Sequence, residues 1–256
     1  MTDKLNNFNK LLNNLNDKEY IEILIAYNVS LISARLKPSI TLNLSKSNNK
    51  NTYELWNKYG EDYLESLRIK FIKLRESEKS LVILIYDFEL LETFINIPKN
   101  KNFLMSLGYP NKFSVEEALE TLQERYELYN CPHELGIFLG FPLDDVKDFM
   151  TCSDKKCLAC GYWKVYNQCN KAKRIFNLFD RVKEETLDNI LDGYRHNILF
   201  NNLKDKFESN QKLNYCIQGT GADVLKESLI EFMKIRSENY KLCAVVHDEI
   251  VIEVPE

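Results

Sequence analysis

The segment that most restricts how this chain can fold lies between Leu242 and Pro255. Two β-branched apolar runs, Leu242–Val246 and Ile250–Val254, flank the polar triplet His247-Asp248-Glu249. Alternation and β-branching predict a strand in each run, with the triplet at the tip of the hairpin that joins them. Side chains on such a tip are exposed and rigidly aimed. An Asp and a Glu side by side there suit a hard divalent cation bound through oxygen. A solvated charged turn is the other reading of the triplet taken alone.

Upstream stands Asn214-Tyr-Cys-Ile-Gln218-Gly219-Thr220-Gly221-Ala222-Asp223-Val-Leu-Lys226. Together with Val246-His-Asp-Glu-Ile-Val-Ile-Glu-Val-Pro255 it resembles the palm of family A DNA polymerases, the bacterial polymerase I type and its phage relatives. That family carries Asn-x-x-x-Gln-Gly-Thr-x-Ala-Asp-x-x-Lys at the start of a long palm helix, and a Val-His-Asp-Glu hairpin follows at about this interval. The resemblance covers roughly residues 214–256. It implies DNA-directed DNA polymerase ancestry, Mg²⁺ as cofactor and primer-template DNA as partner. By resemblance, Asp248 is one of two carboxylates that bridge a pair of divalent ions, and Glu249 is an auxiliary carboxylate beside it. Asn214, Gln218 and His247 match family positions that touch the minor groove or backbone near the primer end, contacts that read duplex shape rather than sequence. Leu225, Leu229, Ile230 and Met233 are expected to pack the helix under the sheet.

The departures from the family are equally specific. The second catalytic Asp sits, in the family, within an Asp-Tyr-Ser-x-Ile-Glu-like motif, and this sequence has none. It also lacks the fingers helix Lys-x-x-x-Phe-Gly-x-x-Tyr-Gly and anything like a thumb, and it stops at Glu256, where the family continues. One bridging carboxylate without a nucleotide site does not assemble two-metal catalysis, and loss of such electrostatic stabilisation costs orders of magnitude in rate. The expectation is an incomplete palm that is inactive alone and could be completed by a separately encoded polymerase fragment.

Charge distribution agrees with that reading. The net charge of the whole chain is −4. Residues 184–256 carry 8 Lys/Arg against 14 Asp/Glu, a net −6, and residues 1–183 carry 26 against 24, a net +2. The palm-like tail therefore lacks the Lys/Arg-rich surface that grips a phosphate backbone. The start, Met1-Thr-Asp-Lys-Leu-Asn-Asn7, has no apolar signal region, and the longest apolar stretch, Leu81–Tyr86, is too short to span a bilayer. With seven cysteines, an odd number, these features lead to the expectation of a cytoplasmic protein with free thiols and no membrane partner.

The first 183 residues read as helices interleaved with a few strands. Helices are expected from the start to about residue 27, with Asp17 capping the second, and over Leu55–Leu74, Phe88–Ile95 and Asn102–Leu107. Ser114-Val-Glu-Glu117 is a capping box opening a helix to about Tyr129, and Pro142 opens another. The pattern from Cys169 to about Phe207 is also helical, with a break near Gly193. Strands are expected at Ile40–Leu44, Leu81–Tyr86, Ile137–Leu139 and Gly161–Tyr166. The fold class is α+β (mixed α/β): a helix-rich N-terminal domain over 1–183 with a small sheet, a helical seam over 184–213, and a helix plus β-hairpin palm fragment over 214–256.

Two stretches of this domain, Cys131-Pro-His-Glu-Leu-Gly-Ile-Phe-Leu-Gly-Phe-Pro-Leu-Asp-Asp-Val146 and Cys160-Gly-Tyr-Trp-Lys-Val-Tyr166, resemble an uncharacterised family common in clostridia over roughly residues 5–183. The likeness supplies no activity, and a cytoplasmic binding or interaction module is the alternative function. Cys131, His133 and Glu134 are chemically able neighbours. With Cys157 and Cys160, the first two could make a zinc site. A zinc deaminase would need His-x-Glu and Pro-Cys-x-x-Cys, whereas Glu134 adjoins His133 and Lys156 stands in the Pro position. A Cys131–His133 nucleophile pair is a further reading, and a buried turn whose His and Glu satisfy backbone groups is the plainest.

Overall fold

The computed structural model describes residues 2–47, 50–151, 155–193, 241–246 and 249–253. The chain divides into two compact units, Met1–Ser209 and Asn210–Glu256.

The first unit begins with helices α1 (Thr2–Asn14) and α2 (Asp17–Ser33). Asn16, not Asp17, is the N-cap of α2, and its side chain accepts from the Glu19 amide at 3.0 Å. Strand β1 (Ser39–Ser45) follows, then α3 (Thr52–Leu55), a π-helical turn (Trp56–Gly60) and α4 (Glu61–Ser66). Strands β2 (Lys70–Glu76) and β3 (Ser80–Tyr86) form an antiparallel sheet with β1 in the order β1-β3-β2. Helices α5 (Phe88–Ile95), α6 (Pro98–Ser106), α7 (Val115–Tyr129), α8 (Leu135–Phe138) and α9 (Leu143–Thr151) come next. Two short paired strands, β4 (Ala159–Cys160) and β5 (Lys164–Val165), lead into α10 (Cys169–Leu191).

The central strand explains the layering. Side chains alternate across a strand, so Leu81, Ile83 and Ile85 face one layer and Leu84 and Tyr86 the other. The first set packs with Ile21, Ile25 and Val29 of α2 and with Trp56 and Leu64. The second packs with Leu91, Ile95, Leu104, Leu119 and Phe138. Both faces of β3 are therefore covered by helices, which is why its sequence is a continuous apolar run although its neighbours are antiparallel. Helix α10 lays its buried stripe, including Phe179, Val182, Leu187 and Ile190, against α2 and α1, where Phe8, Leu12 and Ile23 meet it.

Three expected elements turn out otherwise. The helix expected over Leu55–Leu74 stops at Ser66, and Lys70–Glu76 is a strand. Arg68 adopts a left-handed φ of 57°, and the Ile69 amide reaches back to the Leu64 carbonyl at 3.1 Å, a Schellman stop. The expected strand at Ile137–Leu139 is the helical turn α8, closed by Gly140 at φ 78° with the Phe141 amide on the Gly136 carbonyl at 2.8 Å. The alternating Gly161–Tyr166 stretch is the turn and second arm of the β4–β5 hairpin. The capping box at Ser114 and Glu117 is present in both directions. Gly193, at φ 79°, ends α10 close to the expected break.

In the second unit, β6 (Lys241–Val246) and β7 (Glu249–Glu253) pair antiparallel, with Val246 opposite Glu249. Glu249 is thus the first residue of β7 and not part of the tip. His247 and Asp248, together with Asn214, Gln218, Leu225, Leu229, Ile230 and Met233, lie outside the described residues.

Candidate functional site

Asp145, in the first turn of α9, is 3% exposed. Its Oδ2 accepts from Trp163 Nε1 at 2.8 Å, and its Oδ1 accepts from the amides of Tyr166 (2.9 Å) and Asn167 (2.8 Å) and from Asn167 Nδ2 (3.1 Å). Asn167 Nδ2 also donates to Asp148 at 2.7 Å, and Lys155 pairs with the same Asp148 carboxylate. The two sequence blocks, Pro142-Leu-Asp-Asp145 and Gly161-Tyr-Trp-Lys-Val-Tyr166, are thus joined by one buried carboxylate. Gly161 allows this closure, because a Cβ there would lie 2.4 Å from the Phe176 ring. Ser39 ties the preceding block to the sheet by donating to the Phe138 carbonyl at 2.7 Å, and a Cβ at Gly140 would meet Pro38 at 2.7 Å. These motif residues hold the architecture together.

Cys131, His133 and Glu134 are not brought together. Cys131 is exposed, and its Sγ lies 3.6 Å from the Tyr126 hydroxyl. His133 is also exposed and meets the Phe149 ring edge-on at 4.9 Å. Glu134 turns inward to 1% exposure, where Arg125 Nε donates to it and the Tyr109 hydroxyl lies at 3.5 Å. Arg125 also donates to the Leu107 carbonyl at 3.0 Å. Of the His and Glu of the expected buried turn, only Glu134 is buried, and its partners are side chains rather than backbone groups. Neither a Cys131–His133 hydrogen bond nor a group of three or more His, Cys, Asp or Glu side chains able to hold a metal occurs among the described residues.

The unusual chemistry lies elsewhere, where the end of α2 meets α10. Helix α2 closes with Arg35 at φ 53° and the Leu36 amide on the Leu31 carbonyl at 2.9 Å, so the chain reverses directly into Lys37-Pro38. Lys37 is 8% exposed, and its ammonium sits 5.1 Å from the centre of the Phe141 ring. No hydrogen-bond acceptor or carboxylate pairs with it among the described residues. Lys183 of α10 donates to the carbonyls of Tyr27 (2.5 Å) and Asn28 (3.3 Å) and lies 4.2 Å above the Tyr27 ring. Burial pushes Lys37 down to about 8, and burial together with the charge of Lys37 pushes Lys183 down to about 7. One turn earlier on α10, Asp180 accepts from the Tyr162 hydroxyl at 2.9 Å. Burial, reinforced by Asp180, raises Tyr162 and Tyr27. Tyr162, Phe176, Lys173, Cys160 and Asp180 line a cleft of about 520 Å³ beside this cluster.

Sequence reasoning missed Lys37, Lys183, Asp180 and Asp145. A signal for one of them was present: Lys183 falls on the apolar stripe of α10 between Phe179 and Leu187.

The two lysines make stability depend on pH. The unfolded chain keeps both protonated up to about pH 10.5, whereas the folded chain releases those protons near 8 and 7. The unfolded chain binds more protons throughout that window, so stability falls as pH falls through it, and the penalty is complete below about 7. Urea midpoints are expected to rise between about pH 7 and 9.5, with a flatter rise in Lys183→Met. Above about pH 10 the buried tyrosines Tyr63, Tyr109 and Tyr126, all raised by burial, act in the opposite sense. A midpoint that falls from pH 7 to 9.5 would contradict the buried-lysine account.

With this geometry in hand, the relationships of the chain are clear. The profile of a family described as a protein of unknown function, DUF3793, matches residues 25–200, more than two thirds of the chain. The chain belongs to that family. The profile of DNA polymerase family A matches residues 147–256, so the C-terminal part is a family A polymerase-like region of partial length. No curated protein and no solved structure matches the chain. The two profiles overlap over 147–200, and the structure assigns the described part of that overlap to the DUF3793 body. Residues up to 191 complete α10, whose Leu187 and Ile190 are buried against α1 and α2. Family A polymerases generally use divalent metal ions. The described residues do not provide a cluster of three or more His, Cys, Asp or Glu side chains for one.

Proposed function

We propose that residues 214–256 are a family A palm fragment that presents the His247-Asp248-Glu249 hairpin but does not polymerise DNA within this chain. The observation that carries this reading is the β6–β7 pairing, which closes with Val246 opposite Glu249 and leaves only His247 and Asp248 between the strands. Asp248 and Glu249 are the metal-binding carboxylates of the fragment, and Asn214, Gln218 and His247 are its contacts to primer-template DNA. The partner that would complete a Mg²⁺ site is a separate polymerase fragment supplying the second Asp motif and the fingers helix. In a primer-extension assay with Mg²⁺ or Mn²⁺, the wild type and Asp248→Ala are expected to show the same background. Synthesis that depends on Asp248 would sink the proposal.

A second reading is favoured by the cleft that Cys160, Tyr162, Lys173, Phe176 and Asp180 line: the DUF3793 body is a small-molecule-binding module, and the tail is vestigial. Cys131, Cys157, Cys160 and Cys169 are free thiols, which suits a reducing cytoplasm. The body expected over 1–183 runs on at least to the end of α10 at Leu191, which shortens the expected 184–213 seam, and the palm fragment is kept at 214–256. Because α10 extends to Leu191, removal of the tail should begin at Asn210. Tight binding of primer-template DNA that is lost on removing residues 210–256 would favour the nucleic-acid role over the module.

A further inference from the structure

One face of α10 carries polar groups of both charges that the fold does not pair with each other. Lys173, Asn177 and Asp180 stand at i, i+4 and i+7 of that helix, so they share a face. All three line the cleft of about 520 Å³, a size suited to a small ligand. The Lys173 ammonium and the Asn177 amide have no protein partner among the described residues. Asp180 accepts from the Tyr162 hydroxyl through Oδ1 at 2.9 Å, which leaves Oδ2 as an acceptor. The apolar part of the lining is aromatic. Tyr162 and Phe176 have ring centres 5.7 Å apart, and Phe179 and Trp163 brace them edge-on. The exposed thiol of Cys160 completes the lining.

We propose that this cleft binds a short zwitterionic peptide, about three residues long, with its ammonium at Asp180, its carboxylate at Lys173 and a peptide group at Asn177. Charge, spacing and hydrogen bonding select this class. The lining carries one positive and one negative group, Lys173 and Asp180, so a ligand with opposite charges at its two ends leaves neither unbalanced. A nucleotide phosphate carries about −1.5 to −2 at neutral pH, which one lysine does not neutralise beside a carboxylate. Lys173 and Asp180 are seven positions apart, roughly 10 Å along the helix axis. That is the reach of about three extended residues, and a free amino acid spans roughly a third of it. The Asn177 amide offers a donor and an acceptor, the complement of a peptide C=O and N–H. Tyr162 and Phe176 supply apolar surface for a side chain of the peptide. Their bracing, with the Tyr162–Asp180 hydrogen bond, fixes the wall beforehand and lowers the ordering cost of binding.

The cleft as a peptide site rests on the reading of the body as a small-molecule module. The probe is the tripeptide Gly-Phe-Gly, titrated calorimetrically into the full chain at about pH 7, where both its ends are charged. Its N-acetylated and C-amidated forms should each bind roughly tenfold more weakly, as loss of a charge-assisted hydrogen bond requires. Lys173→Met, at an exposed position that folding does not depend on, should weaken the free and N-acetylated peptides and leave the amidated one unchanged. Asp180→Asn should weaken the free and amidated peptides and leave the N-acetylated one unchanged. As a check without variants, the free peptide should slow alkylation of Cys160, in the cleft, but not of Cys131, outside it. Equal affinity for the three peptides, an equal loss for all of them in Lys173→Met, or unchanged Cys160 alkylation at millimolar peptide would overturn the assignment. Protection of Cys160 by adenosine monophosphate and not by the peptide would overturn the peptide and keep the module. Loss of DNA binding on removing residues 210–256 bears on the module reading alone and leaves the peptide result unchanged.

Discussion

Asp145→Ala is expected to destabilise the protein by about 3–5 kcal/mol, because it strands buried donors rather than merely removing contacts. The carboxylate accepts four hydrogen bonds from Trp163, Tyr166 and Asn167, and the residue is 3% exposed. Without it, Trp163 Nε1 and two backbone amides face an apolar void. A typical domain has only about 5–15 kcal/mol of stability in total, so this one change would consume a large share. The melting temperature should drop by roughly 10 °C. Asp145→Asn should also be destabilising, because its amide NH₂ would confront donors where the carboxylate presents acceptors. Urea unfolding followed by tryptophan fluorescence checks this, and a loss below about 1 kcal/mol would show that the bonds are not what holds the hairpin to α9.

Glu134→Ala should cost about 3 kcal/mol, at the lower end of the range for breaking a buried pair. Glu134 is 1% exposed on its side chain and Arg125 is 20% exposed, so the stranded guanidinium has a partial route to water. It also keeps its bond to the Leu107 carbonyl and lies 5.1 Å from the Tyr129 ring centre. Glu134→Gln, which retains an acceptor of the same shape, should lose less. Replacing Glu134 and Arg125 together by leucines should recover much of the loss, since no charge is then left unpaired. Equilibrium unfolding of Glu134→Leu, Arg125→Leu and the double variant tests the coupling. Additive losses would mean that Arg125 is solvated independently of Glu134.

Legibility differed sharply between kinds of residue. The Ser114–Glu117 capping box was readable because both bonds run between residues three apart. The run from Leu81 to Tyr86 was readable because burial on both faces requires apolar residues at every position. The stops at Arg35 and Arg68 were not readable, since left-handed backbone is ordinarily met by glycine or asparagine and arginine sends no such signal. With the stop at Arg68 unseen, β2 looked like a continuation of the preceding helix. Ile137–Leu139 looked like a strand because three apolar residues fit either period. Its helical form follows from Gly140, whose positive φ closes the turn over Pro38.

The chemistry of the Cys131–Glu134 block was misleading for a related reason. Reactive residue types adjacent in sequence need not share a direction, and here they diverge toward Tyr126, Phe149 and Arg125. The cluster that does form joins residues that sequence proximity cannot connect: Lys183 meets the Tyr27 carbonyl across 156 positions. The sequence by itself determined the mixed α+β class, the central apolar strand, the paired strands of the C-terminal hairpin and both family relationships, because periodicity, caps and motif spacing are local properties. Only the tertiary structure decided that Asp145 is a structural hub, that Glu134 is neutralised by Arg125, and that Lys37 is buried over the Phe141 ring without a carboxylate among the described residues. Charge burial depends on which groups are packed opposite, and that is settled only when distant elements such as α2 and α10 close on each other.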